Sequence, residues 1–213
     1  MKTILATFGD SWTYGSELEK PAEQCWTAQL SSEFTQTYNM SVPASSIGHI
    51  VVQLENLLAR INLDEFDRKV FVFGLTSPSR YLMFDNLRNE YVNVTSEAVY
   101  YTDTKPNGHP PAVADHLLKF GYDFYRDVEH EQLRVHTSSQ VVAFLQAWCH
   151  RHDIQDMYVS YFADQKFNQF VDTDKVINQG KSLNLAQQYF TDGRSHPNIA
   201  GHTYIASLIR AQL

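Results

Sequence analysis

Residues 2–11 read KTILATFGDS, an apolar run that ends in a turn-forming triplet. Lys2 to Phe8 has the continuous apolar character of a short strand buried on both faces, and Gly9-Asp10-Ser11 stops it. In open α/β sheets chemistry gathers at the C-terminal edge of the strands. Ser11 therefore stands where a functional side chain is expected. A second continuous run, KVFVFG at Lys69 to Gly74, has the composition of a central parallel strand, and DMYVSYF at Asp156 to Phe162 adds another.

The segments between these runs carry helical spacing. Pro21 to Glu33 places Trp26, Leu30 and the following Phe34 on one face, and Thr35 to Val42 reads as the second strand. Ser45 and Ser46 are candidate caps for a helix over Ile47 to Ile61, striped by Ile50, Leu54, Leu57, Leu58 and Ile61. Ala112 to His152 is helical in two pieces, and Asn198 to Leu213 is a final amphipathic helix. Asn178 to Tyr189 is polar and ambiguous. Strand and helix alternation predicts an α/β protein with a mostly parallel central sheet. From Pro78 to Pro111 the pattern breaks into Tyr- and Asn-rich sequence, alternating around Tyr91 to Tyr101 with a Pro106-Asn107-Gly108 turn. An inserted hairpin or loop is expected there, within one domain spanning 1–213.

Composition narrows the function classes. At 213 residues, 43% hydrophobic and 19% charged, the chain is ordinary for a globular protein and long enough for a sizeable core. A net charge of -7 with scattered Lys and Arg argues against nucleic acid. No stretch approaches the roughly 18 apolar residues of a membrane helix. Only eight residues precede Gly9, too few for a secretory leader, and Cys25 and Cys149 lack metal or redox spacing. The expectation is a cytoplasmic protein with free thiols.

Two short blocks carry candidate chemistry. Gly9-Asp10-Ser11 follows the first strand, and Asp192-Gly193-Arg194-Ser195-His196-Pro197-Asn198 precedes the last helix. A serine hydroxyl becomes a useful nucleophile when an imidazole takes its proton and a carboxylate fixes that imidazole's tautomer. Ser11, His196 and Asp192 supply the three types. Each block alone is a common turn. Together, in this order and at the two ends of the chain, they resemble the first and last blocks of the SGNH/GDSL hydrolase family. That resemblance implies a flavodoxin-like three-layer α/β/α sandwich and hydrolysis of esters by a Ser-His-Asp triad, without metal or cofactor. Ser11 does not lie in the Gly-x-Ser-x-Gly elbow of the α/β-hydrolases.

The resemblance also implies an oxyanion hole. The Ser11 backbone contributes one donor, and the family's glycine after the second strand falls at Ala44, with Gly48 the competing alignment inside the helix. Alanine keeps the backbone N–H if its φ is negative. Thr76, or Ser77 beside it, replaces the family's Asn after the third strand. Asp192 lies four residues before His196 where the family has three, so a backbone carbonyl is an alternative partner. Trp12 and Tyr14 flank Ser11 as candidate pocket walls, and Arg80 is a candidate for binding a carboxylate or the departing group. His109, His116, His130 and His136 have no zinc spacing, and His202 is expected to pack or cap.

The expected substrate is a small acyl or acetyl ester, with O-acetylated carbohydrate as one class. Acyl transfer from the same site is the neighbouring alternative. A binding or structural module that keeps the fold without turnover is the third, favoured by Ala44, Thr76 and the stretched Asp-His spacing. Substrate choice and oligomeric state are not legible in the sequence.

Overall fold

Strand β1 (Thr3–Phe8) is buried at every position, as a strand with neighbours on both edges and helices on both faces must be. The computed structural model describes residues 1–86, 89–95, 99–101, 115–162, 166–177, 187–190 and 196–213. After β1 the chain makes one helical turn, α1 (Ser11–Tyr14), and two short helices, α2 (Pro21–Gln24) and α3 (Trp26–Leu30). The spacing predicts one helix over Pro21 to Glu33. Two form because Cys25 is extended (φ −65°, ψ 158°), which frees the Trp26 N–H to donate to His202 Nδ1 at 3.2 Å.

Strand β2 (Gln36–Asn39) pairs parallel with β1 and leads to α4 (His49–Leu58) and β3 (Arg68–Leu75). Within the region read as an insertion, β4 (Tyr81–Asp85), β5 (Glu90–Val94) and β6 (Val99–Tyr101) form a separate antiparallel sheet. Its Pro106-Asn107-Gly108 turn lies outside the described residues. The chain continues through α5 (Asp115–Asp127), α6 (Glu131–Arg151), β7 (Gln155–Ser160), a two-residue β8 (Val176–Ile177) and α7 (Ile199–Arg210). Strand β8 is too short to leave a periodic signal. The formal N-cap of α4 is Gly48, and of the two expected capping serines Ser46 does accept the N–H of the first helical residue, His49, on its Oγ at 3.4 Å.

The main sheet has the order β2-β1-β3-β7-β8, and every pairing in it is parallel. Alternate residues divide its two faces. Phe8, Phe71, Phe73 and Tyr158 meet Ile50, Leu54 and Leu57 of α4 and Val142 and Leu145 of α6. Leu5, Val70, Val72 and Val159 meet Trp26 and Leu30 of α3 and Ile205 and Ile209 of α7. The chain is thus a three-layer α/β/α sandwich. Register stacks Phe8 on Phe73 at 5.0 Å and Phe73 on Tyr158 at 5.1 Å, an aromatic ladder across three strands. Among the described residues no helix is long and apolar enough to cross a membrane.

Two buried histidines tie the core to pH. Burial lowers both His49 and His202 from 6.5 to about 4, with His196 adding repulsion at His202. The unfolded chain binds these protons below about 6.5, whereas the folded chain refuses them until about 4, so stability falls as pH drops through that window. The melting temperature is expected to fall by several degrees between pH 7 and pH 4.5. In His202→Asn, whose side-chain oxygen can still accept the Trp26 N–H, that fall should be smaller. An equal fall in the variant would remove His202 from the account.

Candidate active site

The turn after β1 is held from several directions. Gly9 has a φ of 149°, and a Cβ there would fall on Thr13 Oγ1; a Cβ on Gly74 of the adjacent strand would strike the same atom. Only glycine fits that approach. Gln53 of α4 clamps the Gly9 backbone, its Oε1 accepting the N–H and its Nε2 donating to the carbonyl, both at 2.8 Å. Asp10 caps α1 by accepting the Trp12 N–H at 3.0 Å, so Ser11 becomes the first residue of that turn. Gly15 closes it with φ 87°. Ser11 keeps 7% of its surface exposed, and its hydroxyl has no hydrogen-bonding partner among the described residues.

Asp10 has no exposure at all. A buried carboxylate is tolerable only when paired and hydrogen-bonded. Its Oδ2 accepts from Thr76 Oγ1 at 2.7 Å and from Arg80 Nη1 at 3.0 Å. Arg80 also reaches Thr76 Oγ1 at 3.1 Å and the Ser45 carbonyl at 3.5 Å. The single hydroxyl proton of Thr76 is thus directed at Asp10, and donation to an oxyanion would require that bond to break. Arg80 is an internal clamp here. Neighbouring Ser77 bonds Ser79 at 2.9 Å.

The loop after β2 forms the next wall. Met40 and Val42 donate their N–H groups to the carbonyls of Thr7 and Gly9. Ser45 Oγ donates to the Val42 carbonyl at 2.6 Å and bonds His49 Nδ1 at 2.9 Å, and Asn93 of β5 accepts the Ser46 N–H at 2.8 Å. Ala44 sits at φ 64°, not the negative φ on which its choice over Gly48 rested. This is the left-handed backbone that a glycine adopts freely and an alanine adopts at a cost of about 1 kcal/mol. Among the described residues the Ala44 N–H donates to no protein acceptor. Gly48, at φ −63°, opens α4.

His196 arrives from the far end of the chain. Asn198 anchors it by capping α7 through the Gly201 N–H and by donating its Nδ2 to the carbonyls of Gln188 and Phe190. The His196 Nδ1 lies 3.1 Å from Glu17 Oε1, on the segment that leaves Ser11. Asp192 lies outside the described residues. Glu17 carries no motif, so sequence reading passed over it. Of the expected pocket residues, Tyr14 is 42% exposed beside Ser11, whereas Trp12 packs among Tyr161, Phe162 and Phe190.

No protein-family model and no curated protein matches the chain. Among solved structures it is similar to a protein of the G-D-S-L family of lipolytic proteins from Desulfitobacterium hafniense DCB-2, at 12% identity over 99% of both chains and a TM-score of 0.50. It is similar to the same degree, at 10% identity over 99% of both chains and a TM-score of 0.50, to an acetyl xylan esterase. The fold is that of the SGNH/GDSL hydrolases.

Two substitutions test this wall. Ala44→Gly relieves the left-handed strain and should raise stability by up to about 1 kcal/mol, or roughly 2–4 °C in melting temperature. Thr76→Val leaves Asp10 one donor short and should destabilise by about 1–3 kcal/mol. If Thr76 instead serves the oxyanion, that variant loses about 10²- to 10³-fold in kcat with its melting temperature unchanged.

Proposed function

We propose that the chain is a serine esterase acting on small acyl or acetyl esters. The observation that carries this reading is Ser11: a partly exposed hydroxyl at the C-terminal end of β1, in a turn clamped by Gln53, Asp10 and Gly15, with His196 held beside the segment that follows it. Ser11 Oγ attacks the ester carbonyl, and its proton passes to His196 Nε2. The C–O bond to the alcohol then breaks, and the alcohol leaves with that proton. Water, deprotonated by the same imidazole, clears the acyl group and restores Ser11. The Ser11–His196 hydrogen bond forms on substrate binding, since such contacts commonly tighten only in the complex.

The oxyanion is received by the N–H groups of Ser11 and Ala44, while the Thr76 hydroxyl stays on Asp10. The free Ala44 N–H and its glycine-like φ support this role. Tyr14 lines the approach to Ser11. Asp192 is the carboxylate that the sequence offers to His196. Acetylated carbohydrate is the first substrate class to assay, because one structure of similar fold is an acetyl xylan esterase.

A fluorophosphonate probe should label Ser11 in the native protein and not after denaturation. Ser11→Ala should lower hydrolysis of short-chain aryl esters by about 10⁴-fold or more while the melting temperature stays within about 2 °C. Unchanged turnover in that variant would refute Ser11 as the nucleophile, whereas absence of turnover and of labelling in the unaltered protein would favour a non-catalytic binding module.

A further inference from the structure

We propose that Glu17 is the carboxylate that orients the His196 imidazole, a positioning residue supplied by the nucleophile's own loop. The inference rests on the reading of Ser11 and His196 as nucleophile and base. In such a pair the ring nitrogen distal to the serine must carry a proton, and a carboxylate on that proton selects the productive tautomer and stabilises the imidazolium that forms. Glu17 Oε1 lies 3.1 Å from Nδ1, the ring nitrogen that the mechanism does not assign to the Ser11 hydroxyl.

The loop is built to hold that contact. The N–H groups of Gly15 and Ser16 both donate to the Ser11 carbonyl at 3.0 Å, and the Leu18 N–H donates to the Gly15 carbonyl at 3.2 Å. Between them Glu17 stands at φ 69°, a left-handed backbone uncommon outside glycine. Such strain persists where the surrounding structure over-determines it. Because Ser11 and Glu17 are six residues apart on one braced segment, the nucleophile and the carboxylate move together, and the imidazole is fixed relative to both.

The surroundings favour a working contact over a surface pair. The side chains of His196 and Glu17 are 20% and 28% exposed, so water screens them less than it would two fully exposed groups. From α7, the titratable neighbour of His196 among the described residues is His202, whose Nδ1 accepts the Trp26 N–H and whose buried Nε2 has no hydrogen-bonding partner among them. His202 is neutral through the working pH range because burial lowers it to about 4. It therefore offers His196 no anion, whereas Glu17 does. Asp192 is the rival, and a single Nδ1–H bonds strongly to one carboxylate at a time.

The test compares Glu17→Gln, Glu17→Asp and Asp192→Asn in the full chain, using p-nitrophenyl acetate and the ¹H and ¹⁵N shifts of the His196 Nδ1–H in a Ser11→Ala background. Glu17→Gln should lower kcat by about 10²-fold or more with KM within about two-fold. It should also move the acid limb of the pH–rate profile to lower pH and shift the Nδ1–H signal upfield. Glu17→Asp, which keeps the carboxylate, should recover part of each change. The proposal falls if Glu17→Gln leaves kcat, the acid limb and the Nδ1–H signal unaltered, or if Glu17→Asp loses as much as Glu17→Gln. It stands if Glu17→Gln produces the changes and Asp192→Asn leaves the Nδ1–H signal in place, and it falls if Asp192→Asn moves that signal as far as Glu17→Gln does. The two readings fail separately: turnover surviving in Ser11→Ala removes Ser11 as the nucleophile, while the Nδ1–H signal reports the Glu17 contact without any turnover.

Discussion

A fully buried carboxylate beside Ser11 governs the C-terminal edge of the main sheet. Desolvating Asp10 costs several kcal/mol unless the charge is paired and its lone pairs are filled. The fold meets that demand with the Trp12 N–H from α1, the Thr76 hydroxyl from the end of β3 and the Arg80 guanidinium from the segment entering β4. The ends of β1 and β3 and the first turn of the chain are locked together as a result. Arg80 extends the lock to the Ser45 carbonyl, and so to the loop that carries Ala44. Ser11 inherits its position from a charge one residue away.

Around this lock the backbone is held in conformations that its residue types resist. Ala44 and Glu17 both occupy left-handed φ without being glycine. Each is over-determined by neighbours: Ala44 by the Ser45, His49 and Gln53 bonds, Glu17 by the closures around Gly15. Strain of about 1 kcal/mol at each position is small against the burial that the sheet achieves on both faces.

Much of the architecture was legible because a parallel sheet buried on both faces imposes continuous apolar runs, and Lys2 to Phe8, Lys69 to Gly74 and Asp156 to Phe162 have no other economical reading. The helices α4 and α7 declared themselves through their apolar stripes. The break at Cys25 was not legible, since Pro21 to Glu33 keeps helical spacing across it. It exists because the Trp26 N–H is drawn to a histidine 176 residues away. The role of Thr76 was equally hidden, because its hydroxyl has two candidate acceptors and only the approach of β1 to β3 brings Asp10 within 2.7 Å.

By itself the sequence determined the fold class, the strand that delivers Ser11 and the late loop that delivers His196, because these follow from periodicity and turn chemistry within short windows. Tertiary structure decided the partners: that Thr76 and Arg80 serve Asp10, that Ala44 takes a glycine's φ, and that Glu17 meets the Nδ1 of His196. Glu17 and His196 stand 179 residues apart, and no local pattern encodes their meeting. A hydrogen bond is settled within a few tenths of an ångström, a precision that comes only from packing the whole sheet.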